Sequence, residues 1–171
     1  MRPFVLALCV AALAHPVLAQ DSDNRVGIET DWSVFVEDDP TQCWIVTPPK
    51  QIRNTRDGQE VTARRGDIRL YVSFWPGESD SGEVSVTGGY PYRDGSTVTM
   101  TIGSDTFELF TDGEFAWAAS PEEDARIAAA MRRGAQAVVV GVSGRGTRTE
   151  DTFSLLGFTA ALEDAEGRCS G

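Results

Sequence analysis

The sequence predicts an all-β domain, a sandwich or barrel carrying one short α-helix, and three observations predict it. Nine short segments rich in β-branched and aromatic residues follow one another along the chain. Several alternate at period two, as Ile68, Leu70, Val72 and Phe74 do against Arg69, Tyr71 and Ser73, which is the pattern of a sheet with one buried face. Turn pairs stand between the apolar runs, among them Asp57-Gly58, Asp94-Gly95, Gly103-Ser104 and Asp112-Gly113, as tight antiparallel connections require.

The N-terminal element, residues 1–19, reads as a secretory signal peptide. Arg2 supplies the positive start, Phe4 to Ala14 the apolar run, and Val17-Leu18-Ala19 a small-residue cleavage pattern, with cutting expected after Ala19. The run is shorter than the roughly 20 residues of a membrane span, and no second one follows. Cys9 lies within it instead of ending it, unlike the cysteine of a lipoprotein signal. Residues 20–30 are polar and expected to be disordered, and 31–171 to form one domain. Strands are expected at 32–36, 43–47, 68–74, 82–88, 96–102, 106–111, 115–118, 136–143 and 150–157.

A helix is expected over 121–133. Ser120 is placed as its N-cap, Pro121 at the first helical position, Glu123 three residues after the cap, and Arg132 and Arg133 in the last turn before Gly134. Each of these satisfies end groups of the backbone or complements the helix dipole. Ile127 and Met131 give the apolar stripe, and the role expected of the helix is structural. The terminal run "SLLGFTAAL", 154–162, changes periodicity at Gly157. Phe158, Ala161 and Leu162 stand at helical spacing, which predicts a short helix or turn docked against the sheet.

Removal of the signal peptide takes with it His15, the only histidine. It also removes one of 15 basic residues and none of the 26 acidic ones, so the net charge moves from −11 to −12. Such a surface repels polyanions, which argues against nucleic acid as a partner. Cys43 and Cys169 remain, an even pair in an exported chain, and are expected to form a disulfide. It would tie the tail to an early strand, at an entropic worth of about 5 kcal/mol at most.

The chemistry available to the exported chain is narrow. Without histidine there is no Ser-His-Asp triad, Cys-His dyad or histidine zinc site. Lys50, the only lysine, follows a Pro-Pro pair in a loop and reads as a solvated charge. The acidic groups Glu37-Asp38-Asp39, Glu78 to Glu83 and Glu122-Glu123-Asp124 read as solvating loops and a helix start, and none completes an EF-hand calcium loop. The tripeptide Arg65-Gly66-Asp67 matches an integrin-binding string but leads straight into a strand, where it looks like a turn. "GVSGRGT", 141–147, lacks the ending of a phosphate loop and reads as a hairpin bend. Trp75, Tyr90 and Tyr92, each beside a proline, with Arg93 nearby, form a candidate protein-binding patch; the competing reading is a lid over the open end of the core.

Taken in order, "CWIV", "RGDIRLYVSFWPG", "EEDARIAAAMRRG", "AQAVVVG" and "DTFSLLGFTAAL" resemble the invasion-associated locus B (IalB) family of exported bacterial proteins. The resemblance runs from about Asp31 to Cys169, with Ser154, Leu155, Gly157, Phe158, Ala161 and Leu162 as the C-terminal signature. It implies an immunoglobulin-like β-sandwich outside the cytoplasm, with founding members linked to host-cell invasion and many relatives in free-living bacteria. It brings no catalytic residue, metal or cofactor. Relatives that carry cysteines before the helix differ from this chain, whose "FTDGEFAWAAS" has none.

The expectation is therefore a non-enzymatic protein in the periplasm or secreted, with no membrane span. It would meet an envelope or host protein through direct contacts. The alternative is a periplasmic ligand-binding protein or a carboxylate-based hydrolase, marked by a pocket lined with two or more acids.

Overall fold

The computed structural model describes residues 24–38, 41–76 and 82–169. The signal peptide with its cleavage position, Asp39, and the acidic stretch 78–81 lie outside the described residues.

Among the described residues, twelve strands and two helices make up the fold. The strands are β1 (Arg25–Glu29), β2 (Trp32–Asp38), β3 (Thr41–Thr47), β4 (Pro49–Arg56), β5 (Gln59–Glu60), β6 (Arg69–Phe74), β7 (Glu83–Thr87), β8 (Thr97–Ile102), β9 (Asp105–Asp112), β10 (Phe115–Trp117), β11 (Gln136–Val142) and β12 (Arg148–Ser154). Helix α1 (Pro121–Arg133) lies between β10 and β11, and α2 (Phe158–Cys169) follows β12. Every strand joins one antiparallel ladder in the order β1-β2-β3-β6-β7-β10-β9-β8-β11-β12-β4-β5. The all-β expectation with a helix at 121–133 holds. The hydrogen bonding forms one continuous sheet, where two separate sheets would divide it.

So wide a sheet must curl to bury its apolar face. Ile45, Leu70 and Val72 from one half and Met100, Leu109 and Phe153 from the other belong to a single buried cluster, so the two halves face each other across one core. Period two does the sorting. In β6 the even-numbered Leu70, Val72 and Phe74 point inward, while Arg69, Tyr71 and Ser73 are only half-buried.

Three expectations change. Residues 25–29, within the segment read as disordered, form β1, because β2 supplies a partner from Glu29↔Trp32 to Arg25↔Phe35. Strand β4 was not foreseen: "PKQIRNTR" has no apolar alternation and is mostly exposed. It exists because β12 offers a ladder, Thr55↔Arg148 through Pro49↔Phe153, with Pro49 at the first position where its missing N–H is tolerated. Lys50 accordingly sits on a strand and pairs with Asp31 at 2.6 Å, which holds the Asp31 carboxyl below its ordinary range.

The terminal apolar run is docked. Phe158, Ala161, Leu162, Ala165 and Cys169 form the buried face of α2, a helix of 12 residues where a short helix or turn was expected. Trp32 receives Phe158 edge-on at 5.2 Å between ring centres and donates its indole N–H to the Ser154 carbonyl at 3.1 Å. Full burial of a side chain such as Phe158 or Leu162 contributes about 1.5–3 kcal/mol. Cys169 closes the end through a disulfide to Cys43 on β3. Helix α1 begins as expected, with the Ser120 side chain accepting from the Glu123 N–H. Its final glycine closes the helix as expected, with the Gly134 N–H donating to the Ala130 and Met131 carbonyls; its backbone is extended (φ −85°), and a Cβ there would lie 2.6 Å from Ile102.

Candidate functional site

The structure does not bring the four residues singled out as a contact patch onto one exposed surface. Tyr92 is only 5% exposed, its ring packs edge-on to Tyr90 at 5.1 Å, and its backbone bridges to Ser143. Burial pushes both phenols above their ordinary range. Tyr90 is half-buried and shares a hydrogen bond with Thr149. Trp75 lines a different hollow, beside Pro121 and Asp124. Arg93 alone is well exposed, so these tyrosines act as the lid that was the competing reading.

The lid forms part of the floor of a cleft of about 530 Å³. One wall is the irregular segment 61–65 that follows β5, another is the Ser143–Thr147 bend between β11 and β12, and Gly89 to Pro91 run along the base. The segment 61–65 is pinned by Gly66, whose N–H donates to the Gly89 carbonyl at 2.8 Å; a Cβ on Gly89 would strike Gly66 at 2.7 Å. Ser143 Oγ accepts from the Thr147 N–H, so the glycine-rich bend is a closed, ordered turn.

Arg65 anchors the cleft from beneath. Its guanidinium meets both carboxylate oxygens of Asp151, donates to the Gly88 carbonyl at 2.8 Å and lies over the Tyr90 ring at 5.1 Å. Burial raises the Asp151 carboxyl, and the Arg65 bonds oppose that shift. In the tripeptide Arg65-Gly66-Asp67 the arginine side chain is turned inward, while Gly66 and Asp67 are exposed. Arg56, Arg64 and Arg145 line the cleft, and among the described residues its lining carboxylate is Glu114.

A second feature lies on the outer face of the sheet. Phe110 and Trp117 are register partners and stack at 5.6 Å; Trp117 stacks on Phe115 at 5.6 Å, and Phe115 meets Tyr71 at 6.4 Å. Phe110 is 49% and Phe115 38% exposed. Ser85 and Thr87, which face them in the ladder, are buried, as expected of small hydroxyl residues roofed by rings. On the same curled sheet Phe35 and Trp44 stack at 5.2 Å. These aromatic residues were passed over because they sit inside strands read for their buried face. The signal was the pattern Phe115-Ala116-Trp117, in which the small residue points inward and both rings outward.

The acidic start of α1 also differs from expectation. Asp124 is buried, not solvated, and accepts the Val84 N–H at 2.8 Å, tying α1 to β7. Desolvation raises its carboxyl to about 6 despite that bond, with Glu83 and Glu123 adding to the rise.

The family model described as Invasion associated locus B (IalB) protein matches residues 32–166. The chain belongs to the IalB family. The match starts at Trp32 and runs into α2, so it takes in the cleft, the outer aromatic band and the docked tail. No match appears among curated proteins or among solved structures. Among the described residues of this IalB-family chain, no helix is long and apolar enough to cross a membrane.

Proposed function

We propose that this IalB-family chain is an exported, non-enzymatic protein that works through direct contacts with an envelope or host protein, in the periplasm or at the cell surface. Membership of the family, the disulfide and the signal-like N-terminus support export. The observation that carries the contact reading is the aromatic band of Tyr71, Phe115, Trp117 and Phe110, in which Phe110 and Phe115 are exposed and Tyr71 and Trp117 half-buried. Aromatic rings held rigidly on strands give large contact area at small entropic cost, and contiguous exposed apolar surface on a soluble domain marks interaction sites. The core does not need these rings, because Phe107, Leu109 and Ala116 of the same strands already fill it.

The alternative, a hydrolase with paired carboxylates, finds little support in the cleft, where Glu114 has no second acid beside it among the described lining residues. The test is capture of envelope and host proteins on the wild type and on a Phe110→Ser/Phe115→Ser variant of unchanged melting temperature. A specific protein held by the wild type and lost by the variant supports the reading. Equal capture by both overturns it.

A further inference from the structure

We infer that the cleft between residues 61–65 and the Ser143–Thr147 bend is a binding site for a small ligand carrying two or more oxyanion groups, carboxylate or phosphate. This rests on the distribution of charge and is independent of the aromatic band.

Most basic side chains of this acidic chain are spent on local carboxylates: Lys50 on Asp31, Arg53 on Glu60, Arg126 on Glu123, Arg148 on Glu150, Arg168 on Asp164. Arg65, Arg69, Arg132 and Arg133 are paired as well, and Arg25 is engaged too. Among the described residues, four arginines have no carboxylate partner, namely Arg56, Arg64, Arg93 and Arg145, and all four gather at this one place. Three line the cleft, and the Arg93 guanidinium reaches its rim, 3.2 Å from where a Cβ of Gly146 would stand. In a protein of net charge −11, four arginines without ion-pair partners around a cleft whose lining includes the carboxylate of Glu114 are the reverse of what solubility asks for.

The site is also shaped. Its volume of about 530 Å³ suits a small molecule. The Arg56 guanidinium is held by Thr147 Oγ1 at 2.7 Å, which fixes one fork at the opening. Thr62 adds a hydroxyl to the lining, and the Tyr90 ring gives an apolar surface for the carbon skeleton of a ligand. Guanidinium forks match carboxylate and phosphate oxygens in pairs, and several forks around one small space call for more than one oxyanion. The acidity of the rest of the surface does not cancel this attraction. Charges beyond about 8 Å are largely screened at physiological ionic strength, whereas a ligand in the cleft lies within a few ångströms of the arginines.

The test is titration calorimetry of the exported chain with citrate and with tripolyphosphate. Acetate serves as the single-charge control, and phosphatidylglycerol vesicles separate a lipid headgroup from a free anion. Arg64→Gln and Arg145→Gln probe the site without touching the fold, since both side chains are exposed and unpaired. Arg126→Gln removes the same charge outside the cleft. The expected result is binding of citrate or tripolyphosphate that is stronger than acetate, weakens with salt, falls about tenfold with each cleft substitution and is unchanged in Arg126→Gln. Vesicle binding lost in the same cleft variants, without binding of the free anions, assigns the oxyanions to headgroups. Absence of binding to every probe at millimolar concentration, or binding indifferent to Arg64→Gln and Arg145→Gln, overturns the inference.

Discussion

Asp151 grips the Arg65 guanidinium with both carboxylate oxygens, and neither side chain is more than 5% exposed. The pair joins β12 to the irregular segment ahead of β6, so it shapes the cleft from below. Removing one partner strands a buried charge, and Asp151→Ala is expected to cost about 3–5 kcal/mol in urea unfolding. Arg65→Met combined with Asp151→Leu removes both charges and is expected to recover most of that. A residue of about 1–2 kcal/mol remains for the Gly88 carbonyl, which loses its donor. A double variant as unstable as the single one contradicts charge compensation as the cause.

The same geometry bears on cell attachment. Integrin-type recognition of Arg-Gly-Asp needs the arginine and the aspartate together, and here Arg65 is committed to Asp151 while Asp67 is 86% exposed. Asp67→Ala is therefore expected to leave attachment to integrin-bearing cells unchanged in an adhesion assay. A loss of attachment would show that this loop opens on contact.

Asp124 predicts a pH dependence. Its folded carboxyl titrates at about 6, above the ordinary value near 3.9 of an unfolded chain. Between those values the folded protein holds a proton that the unfolded chain has lost, so stability contributed here is full below about pH 4 and declines as pH rises to about 6. The decline is at most about 3 kcal/mol, from the two-unit separation. Asp124→Asn keeps an acceptor for the Val84 N–H and removes the titration. The stability difference between variant and wild type, measured from pH 4 to 7, is expected to move in the variant's favour up to pH 6 and then level off.

What was legible in the sequence follows from where each signal comes from. Strands such as β6 and β11 carry their own alternation, and α1 carries its own caps, so both announce themselves locally. The disulfide followed from a count of cysteines. Strand β4 is polar on nearly every position and is a strand because β12 lies beside it; no local window contains that information. The cleft has the same character, since Arg56, Arg64 and Arg145 come from separate segments. A partial cue was present: four of the chain's 15 basic residues, Arg53, Arg56, Arg64 and Arg65, fall within thirteen positions. The inward packing of Tyr92 on Tyr90 was not legible, because flanking prolines mark a rigid turn but do not tell which way a ring faces.

The disulfide gives a prediction about the tail. Cys43 and Cys169 are 126 positions apart, and loss of such a link costs about 2–5 kcal/mol. At this chain length 1 kcal/mol moves the melting temperature by roughly 2–4 °C, so Cys43→Ala/Cys169→Ala is expected to melt about 5–15 °C lower. Phe158, eleven residues before Cys169, is buried against Trp32 by a contact in which the link takes no part. Hydrogen exchange in the double variant should therefore rise first near residues 166–169 and last near Phe158, and uniform release of α2 would show that packing alone does not dock it.

Two glycines separate backbone conformation from backbone contact. Gly157, at the junction of β12 and α2, has φ +89°, and a Cβ there would stand 2.0 Å from the Glu29 carbonyl oxygen. Gly113, in the turn between β9 and β10, also has positive φ, +58°, but meets nothing within 4 Å. Alanine at Gly113 pays only for the left-handed backbone, about 1 kcal/mol. Alanine at Gly157 carries that cost and a collision with another main chain, which no side-chain rotation relieves. Either α2 lifts from the sheet or β1 leaves β2, and a loss beyond about 3 kcal/mol is expected. Because β1 is an edge strand paired only to β2, it is the element that should yield, and Gly157→Ala is expected to raise hydrogen exchange across residues 25–29 while β3 and β6 stay protected. Equal destabilisation by the two alanines would mean that the close approach of Glu29 to the start of α2 is not maintained in solution.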